Sequence, residues 1–415
     1  MSIGDLLLSL AAMVILGVIV IAANYADRES DSRMSRAVFA VLGLINLLLV
    51  AFYGVAQVAM AYSPATDTFT PPTHAEAWGG LLASVVVAGL ATALLLYPIR
   101  ERVAVLFPGF RGKAKRSLPD DESMAGYGVP GDESGQGGTP LFPQMLNYYT
   151  TDSVFVPRSS QAMPDVSPQV RDEVRGFNPR SMVHMVALVF VVYLIGIQMI
   201  NFILGGGLEG IAQSYEENGL TALDLLVNSL PLVVIPFIGI GFGMRRGWRA
   251  SLHRLGLELP SGEGLLVAFG LTILLFVFVA TVAGIWIGLV SEETYEEQNE
   301  ASEALSASVD SIGLAFLLAA TAAIGEEIAF RGALQPVIGF WPTAVAFALT
   351  HVQYTLTPAW LIIFGVAIGF GWIRQRYNTT VAMATHFTYN FIPLALSVSV
   401  SDEAILSLLR MVVGL

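Results

Sequence analysis

Long apolar stretches are the feature that most limits how this chain can fold. Only 13% of its residues are charged and its mean hydropathy is +0.66, whereas soluble domains carry about 25% charged residues. Most of the stretches approach the ~20 residues that an α-helix needs to cross the hydrocarbon core of a bilayer. The expected spans are 6–23, 37–62, 81–99, 182–204, 223–244, 264–290, 312–334, 342–353, 359–373 and 381–400. The sequence therefore predicts an all-α fold, a polytopic transmembrane helical bundle of about ten spans.

The polar segments divide the chain into four parts. Residues 1–107 form a predicted N-terminal module of three transmembrane helices. Residues 108–180 are rich in Gly, Pro, Ser and Asp and lack a long apolar periodicity, which is typical of a flexible linker. Residues 181–400 contain the other spans and form the predicted core. Residues 401–415 form a predicted interfacial tail.

Basic residues predict the orientation. Arg or Lys occurs in the segments 24–36, 100–180, 245–254 and 374–376, whereas the loops 63–78, 206–221 and 291–311 have none. Because cytoplasmic loops carry an excess of Lys and Arg, we expect a multi-pass cell-membrane protein with its basic segments, including the linker, in the cytoplasm. Both termini then lie outside.

The overall charge narrows the choice of partners. There are 33 acidic against 21 basic residues, a formal net charge of −12, and the basic residues form no patch of the kind that binds nucleic acid. The absence of cysteine excludes disulfides and Cys-ligated metals. We expect the lipid bilayer and no nucleic acid among the partners.

Three charged residues interrupt the apolar run at 312–334. Glu326, Glu327 and Arg331 follow residues 314–324, which are apolar apart from Thr321. A charge at the bilayer centre costs at least about 2.5–3.5 kcal/mol, so such residues indicate a functional site by default. Glu327 precedes Arg331 by four residues, which is the favourable order for an ion pair within a helix. This pair would leave Glu326 free to face the bundle.

Two histidines lie within later predicted spans. His351 follows Phe347 by four residues and His386 precedes Asn390 by four, so each pair shares a helix face. Counted from the predicted helix ends, Glu326, His351 and His386 lie roughly 10–14 Å below the cytoplasmic face. We therefore expect the three helices to bring these groups to one level.

The expected chemistry is hydrolysis of an amide bond. A carboxylate that is partly withdrawn from water suits a general base that activates a water molecule, and His351 could share that water with Glu326. The side chains of His386 and Asn390 can donate hydrogen bonds to the oxyanion that develops on a scissile carbonyl. This set of groups needs no covalent intermediate.

The motifs Glu-Glu-x-x-x-Arg, Phe-x-x-x-His and His-x-x-x-Asn, in this order on successive helices, resemble those of the CAAX-protease and bacteriocin-processing (CPBP) family of intramembrane glutamate endopeptidases, which includes the type II CAAX prenyl proteases. The resemblance covers about 182–400 and implies a protease core with membrane-anchored or lipid-anchored protein substrates, cut near the cytoplasmic face. It implies Glu326 as general base, His351 as its partner, and His386 with Asn390 as oxyanion stabilisers. Glu327, Arg331 and Phe347 would support the site. The family's mechanism implies no metal and no other cofactor.

Other interpretations of the same residues stay open. The two glutamates could form a structural ion-pair cluster, His351 could be a core histidine, and Asn390 could bond a neighbouring helix. Glutamate and two histidines could ligate zinc, although the usual helical His-Glu-x-x-His motif is absent. Buried ionisable groups also occur in ion-coupled transporters, and an immunity-type membrane scaffold would not need catalysis.

Overall fold

The computed structural model describes residues 3–29, 32–66, 70–107, 176–355 and 359–399. Within these ranges the chain is helical and has no β-strand, which confirms the predicted all-α fold. Helices are expected here because a bilayer core offers no water to the backbone, so each helix must satisfy its own N–H and C=O groups. The tail 401–415 and most of the predicted linker lie outside the described residues.

The helices are numbered in chain order over the described residues. They are α1 (Ile3–Glu29), α2 (Ser32–Ala61), α3 (His74–Leu95), α4 (Tyr97–Ala104), α5 (Met182–Leu204), α6 (Gly207–Asn218), α7 (Ala222–Gly239), α8 (Trp248–Leu255), α9 (Gly262–Ile287), α10 (Glu292–Ala307), α11 (Ile312–Ile338), α12 (Phe340–Leu349), α13 (Val352–Thr355), α14 (Trp360–Arg376) and α15 (Thr379–Ser399).

Eight of these helices are long and apolar enough to cross a membrane, namely α1, α2, α3, α5, α7, α9, α11 and α15. The two other predicted spans are shorter, because α12 has 10 residues and α14 has 17. At 1.5 Å per residue α12 covers only about 15 Å, half of the ~30 Å hydrocarbon core. A Cβ atom on Gly371, near the end of α14, would lie 2.8 Å from Phe340 at the start of α12. The two short helices are therefore antiparallel, and His351 lies in the turn beyond α12 rather than within a span.

The loops expected at 206–221 and 291–311 are largely helical, which corrects the sequence analysis. They contain α6 and α10, which pack against each other. In α10 the buried residues Ala301 and Ala304 lie on one face, and the acidic residues Glu292 and Glu293 occupy the first turn, where they favour the helix dipole. Hydropathy alone did not reveal these helices because their apolar faces are narrow.

The predicted N-terminal module packs directly on the core. Helix α1 contacts α5 and α7, and α3 contacts α5. Polar groups join the two parts: the backbone N–H of Met182 donates to Asp27 at 2.6 Å, and the Tyr193 hydroxyl donates to Asn46 at 2.7 Å. Burial of these bonds makes them costly to break without replacement.

Helix α11 lies among α7, α12, α14 and α15, and it contacts each of them. An apolar cluster fills the space between these helices and includes Phe330, Leu334, Phe347, Val366 and Phe370. Helix α14 can approach α9 closely because residue 365 is glycine, where a Cβ atom would lie 2.3 Å from the Phe278 ring. This packing brings the charged stretch of α11 next to both histidines.

Candidate active site

The charged stretch of α11 departs from regular α-helix. Residues Glu327–Leu334 form a π-helical segment that begins directly after Glu326. Segments of π-helix are rare and are often found at functional sites. The helix also continues to Ile338, four residues beyond the end expected from the sequence. Twelve residues then separate Glu326 from this end, about 18 Å of helix instead of the expected 12 Å, so Glu326 lies near the middle of α11.

Glu327 is the centre of a buried polar cluster. Its side chain is fully buried, and its Oε1 lies 3.2 Å from a terminal nitrogen of Arg331, which is also buried. The same oxygen accepts a hydrogen bond from Nδ1 of His386 at 2.9 Å. The predicted ion pair with Arg331 is therefore present. The link from Glu327 to His386 was not predicted, because the residues are far apart in the sequence and meet only where α11 packs on α15.

Two phenylalanine rings enclose this cluster. The Arg331 guanidinium carbon lies 4.1 Å from the centre of the Phe347 ring and 5.4 Å from that of Phe370. The His386 ring stacks on Phe370 with 4.5 Å between ring centres. Cation–π contacts of this kind gain strength where water is excluded. Phe347 therefore packs against the site as predicted, whereas Phe370 was missed because a phenylalanine in an apolar helix carries no distinctive pattern.

Glu326 faces a cavity rather than the buried cluster. The cavity has a volume of about 490 Å³ and is lined by Glu326 and His351, among others. The Glu326 side chain is 23% exposed, and its Oε2 lies 4.0 Å from Nε2 of His386. Within the described residues this buried oxygen accepts no hydrogen bond from the protein. An oxygen in this setting can accept a hydrogen bond from a water molecule in the cavity.

His351 reaches the same cavity from the turn after α12. Its Nδ1 lies 3.1 Å from the carbonyl oxygen of Phe347, and its ring lies 4.9 Å from the Phe347 ring, centre to centre. A carbonyl only accepts, so this bond assigns the proton to Nδ1 and leaves the lone pair on Nε2. That tautomer suits a histidine that accepts a proton from water.

Asn390 is the predicted site residue that the structure leaves apart from the others. It lies one turn after His386 on α15 and is half-buried. No hydrogen bond joins Asn390 to the cluster among the described residues, and neither Asn390 nor His386 lines the 490 Å³ cavity. His386 still approaches the cavity through its Nε2, which lies beside Glu326.

Several polar residues of the cavity wall were not predicted. Gln198 comes from α5, Tyr215 from α6, and Gln298 and Ser302 from α10. Burial raises the pKa of the Tyr215 phenol, so its hydroxyl keeps its proton and can donate. The spacing of Gln298, Ser302 and Leu305 places them on one helix face, which would have been a usable pattern had 291–311 been treated as a helix.

The donor groups were also searched for a metal site. No group of three histidine or acidic side chains arranged to hold a metal ion is found in the described part of the chain. Oε1 of Glu327 contacts both Arg331 and His386, and that contact occupies Nδ1 of His386. These atoms are therefore engaged with protein groups.

Residues 308–392 match the family model described as Rce1-like, type II CAAX prenyl endopeptidase Rce1-like. Through this segment the chain belongs to the CAAX-protease family. The matched segment contains all seven predicted site residues, and it is shorter than the 182–400 over which the motifs suggested a resemblance. Comparisons with curated proteins and with solved structures give no match. The family match supports a membrane protease and favours neither the transporter nor the scaffold interpretation.

Proposed function

We propose that this protein is an intramembrane endopeptidase that hydrolyses a peptide bond in membrane-associated or lipid-anchored proteins, with prenylated proteins as the substrate class that the family name suggests. The observation that carries the proposal is the position of Glu326. Its carboxylate lies in a cavity with His351 and has an oxygen that bonds no protein donor. The neighbouring Glu327, in contrast, is fully occupied by Arg331 and His386.

In the proposed reaction, Glu326 is the general base. A water molecule between Glu326 and His351 transfers a proton to the Glu326 carboxylate while its oxygen bonds to the scissile carbonyl carbon. The carbonyl π electrons move to oxygen and give a tetrahedral oxyanion. When this intermediate collapses, the C–N bond breaks and the proton moves from Glu326 to the leaving amine nitrogen. General base catalysis of this kind contributes about 10²–10⁴-fold.

His386 and Asn390 are the proposed oxyanion stabilisers. His386 already donates Nδ1–H to Glu327, so donation from Nε2 requires the doubly protonated ring. The charges of the cluster favour this form, because Glu326 and Glu327 carry two negative charges and Arg331 carries one positive charge. A protonated His386 balances the remaining negative charge and directs an N–H toward the cavity beside Glu326. Asn390 would add its amide from the next turn of α15.

The proposal needs no metal ion, because the base, its partner and the oxyanion donors are all side chains. We also propose that the basic segments are cytoplasmic, as the excess of Arg and Lys indicates. The active site would then open toward the cytoplasm, with both termini outside.

The function is tested with the purified full-length chain in liposomes. The substrate is a peptide with a farnesylated C-terminal cysteine motif and a fluorophore and quencher on either side of the expected scissile bond. Matched peptides carry a saturated acyl anchor or no anchor. We expect cleavage of the farnesylated peptide and at least about a hundredfold slower cleavage by Glu326→Gln. The exposed residue Glu101 provides a control, since Glu101→Gln removes the same charge far from the site.

Two results would contradict the proposal. One is cleavage by Glu326→Gln at the wild-type rate, which would exclude Glu326 as the base. The other is the absence of cleavage of all three peptides by a folded wild-type protein. Preference for the acyl anchor over the farnesyl anchor would keep the endopeptidase but reject prenylated proteins as its substrates.

A further inference from the structure

A second and larger cavity lies beside the catalytic cavity. It has a volume of about 2580 Å³ and is bounded by α1, α2, α5, α7 and α11. Along α5 its wall runs from Ser181 to Gln198, about 25 Å at 1.5 Å per residue. This length is most of the ~30 Å hydrocarbon core. Its inner end shares Leu194, Gln198 and Phe330 with the catalytic cavity.

One end of this cavity is strongly basic, and we name it the arginine end. The lining contains seven arginines, which are Arg28, Arg36, Arg100, Arg180, Arg245, Arg246 and Arg254. The only carboxylate among the described lining residues is Asp27, whose oxygens accept hydrogen bonds from Ser181, Met182 and Val183 at the start of α5. The cavity therefore concentrates positive charge at one end.

Neutral oxygen atoms hold several of these arginines in place. Arg100 donates to the carbonyl oxygens of Pro179 and Leu94, and Arg180 donates to the Tyr97 hydroxyl. Such partners orient a guanidinium group without offsetting its charge. An anion that enters the arginine end would meet arginines already held there.

The rest of the lining is apolar. Helix α5 contributes apolar or aromatic side chains from Val186 to Ile197, and Leu232, Ile235 and Phe330 line the opposite walls. The arginines lie at the ends of membrane-spanning helices: Arg28 is in the last turn of α1, and Arg180 precedes α5 by two residues. The positive charge is therefore at the level of lipid headgroups, and the apolar wall is at the level of acyl chains.

We propose that this cavity binds an anionic phospholipid, with the phosphate at the arginine end and an acyl chain along α5. Basic pockets between transmembrane helices on the cytoplasmic side are known to bind anionic headgroups, and Arg can hold a phosphate through two parallel hydrogen bonds. The N-terminal module then has a defined role, because α1, α2 and α4 supply three of the arginines. A lipid at this place fills the space between the module and the core.

The test measures lipid binding and does not depend on peptidase activity. The purified full-length protein in detergent is titrated with phosphatidylglycerol, phosphatidylcholine or inorganic phosphate, and bound lipid is counted by native mass spectrometry. Arg28→Gln/Arg36→Gln/Arg180→Gln changes three exposed arginines of the cavity. Arg102→Gln/Arg249→Gln/Arg376→Gln is the matched control, because these exposed arginines lie in the same basic segments but do not line the cavity.

At about 1 kcal/mol for each basic residue near a membrane surface, the cavity variant is expected to bind phosphatidylglycerol about a hundredfold more weakly. The control variant should bind like the wild type. A further variant, Val191→Trp, fills the apolar wall without changing the charge and should also weaken lipid binding. Inorganic phosphate should give no protection against thermal unfolding at concentrations where phosphatidylglycerol does.

Three results would overturn the proposal. Equal binding of phosphatidylcholine and phosphatidylglycerol would show that the charge is not recognised. Equal losses in the two triple variants would show a general surface effect. Protection by inorganic phosphate alone, or displacement of the lipid by a soluble acidic peptide at the same concentration, would assign the site to another anion.

Discussion

The two adjacent glutamates should respond in opposite ways to the same conservative change. Glu327→Gln removes the charge that balances Arg331, whose side chain is buried. Breaking a buried ion pair by removal of one partner costs about 3–5 kcal/mol, because the other charge is left uncompensated. Glu326→Gln removes a carboxylate whose side chain is 23% exposed and which has no close basic partner except His386 at 4.0 Å. We expect it to change stability by no more than about 1 kcal/mol.

Activity should show the reverse order of causes. Glu326→Gln should slow cleavage by about 10²–10⁴-fold through loss of the base while the protein stays folded. Glu327→Gln should lose activity mainly through loss of folded protein and through misplacement of His386. The assay combines unfolding in detergent, followed by intrinsic fluorescence, with cleavage of the anchored peptide by the same preparations.

A double variant separates the two effects. Replacing both partners of a buried ion pair is often nearly neutral, so Glu327→Gln/Arg331→Met should recover much of the stability lost by Glu327→Gln alone. The glutamine keeps an oxygen that accepts from Nδ1 of His386. The reasoning is refuted if Glu326→Gln destabilises the protein as much as Glu327→Gln does, or if the double variant is less stable than the single one.

Three further predictions test the surroundings of the site. Phe347→Ala should destabilise the protein by about 3–5 kcal/mol, since it empties the space between Arg331 and His351; thermal unfolding measures this, and an unchanged midpoint would contradict it. Peptidase activity should be unaffected by 1,10-phenanthroline and EDTA, because the proposed groups need no metal; a loss that zinc restores would support the zinc alternative. The chain has no cysteine, so a cysteine at Glu216 should react with an impermeant maleimide in intact cells and one at Arg249 only after lysis; the opposite pattern would invert the proposed topology.

The composition and the apolar runs were sufficient to predict the fold class, because a bilayer permits few backbone arrangements. They did not separate full spans from α12 and α14, since apolar composition does not show that a helix stops halfway and turns back. They also missed α6 and α10, whose buried faces are only a few residues wide. These two helices form part of the catalytic cavity, so the polar groups that they contribute were missed with them.

Within the candidate site, what the sequence revealed depends on the distance between the partners. The pair Glu327–Arg331 spans four residues of one helix and follows directly from helical spacing. The pair Glu327–His386 joins α11 to α15, and no periodicity within either helix reports which side chains face each other. The same applies to the stacking of His386 on Phe370. The predicted depth of Glu326 was too shallow because the charged stretch and Gln335 suggested an earlier helix end than Ile338.

The structure also explains why two adjacent carboxylates can serve one site. A single glutamate could not both hold Arg331 and His386 and remain available to water, because the bonds that fix it would occupy its oxygens. Glu327 holds the fixed bonds, with one oxygen facing both cations, and so positions the His386 ring 4.0 Å from Glu326. Glu326 then has a hydrogen-bonding oxygen directed at no protein donor, in a cavity that His351 also reaches. The division follows from the packing of α11: one residue faces α15, and the preceding residue faces the cavity.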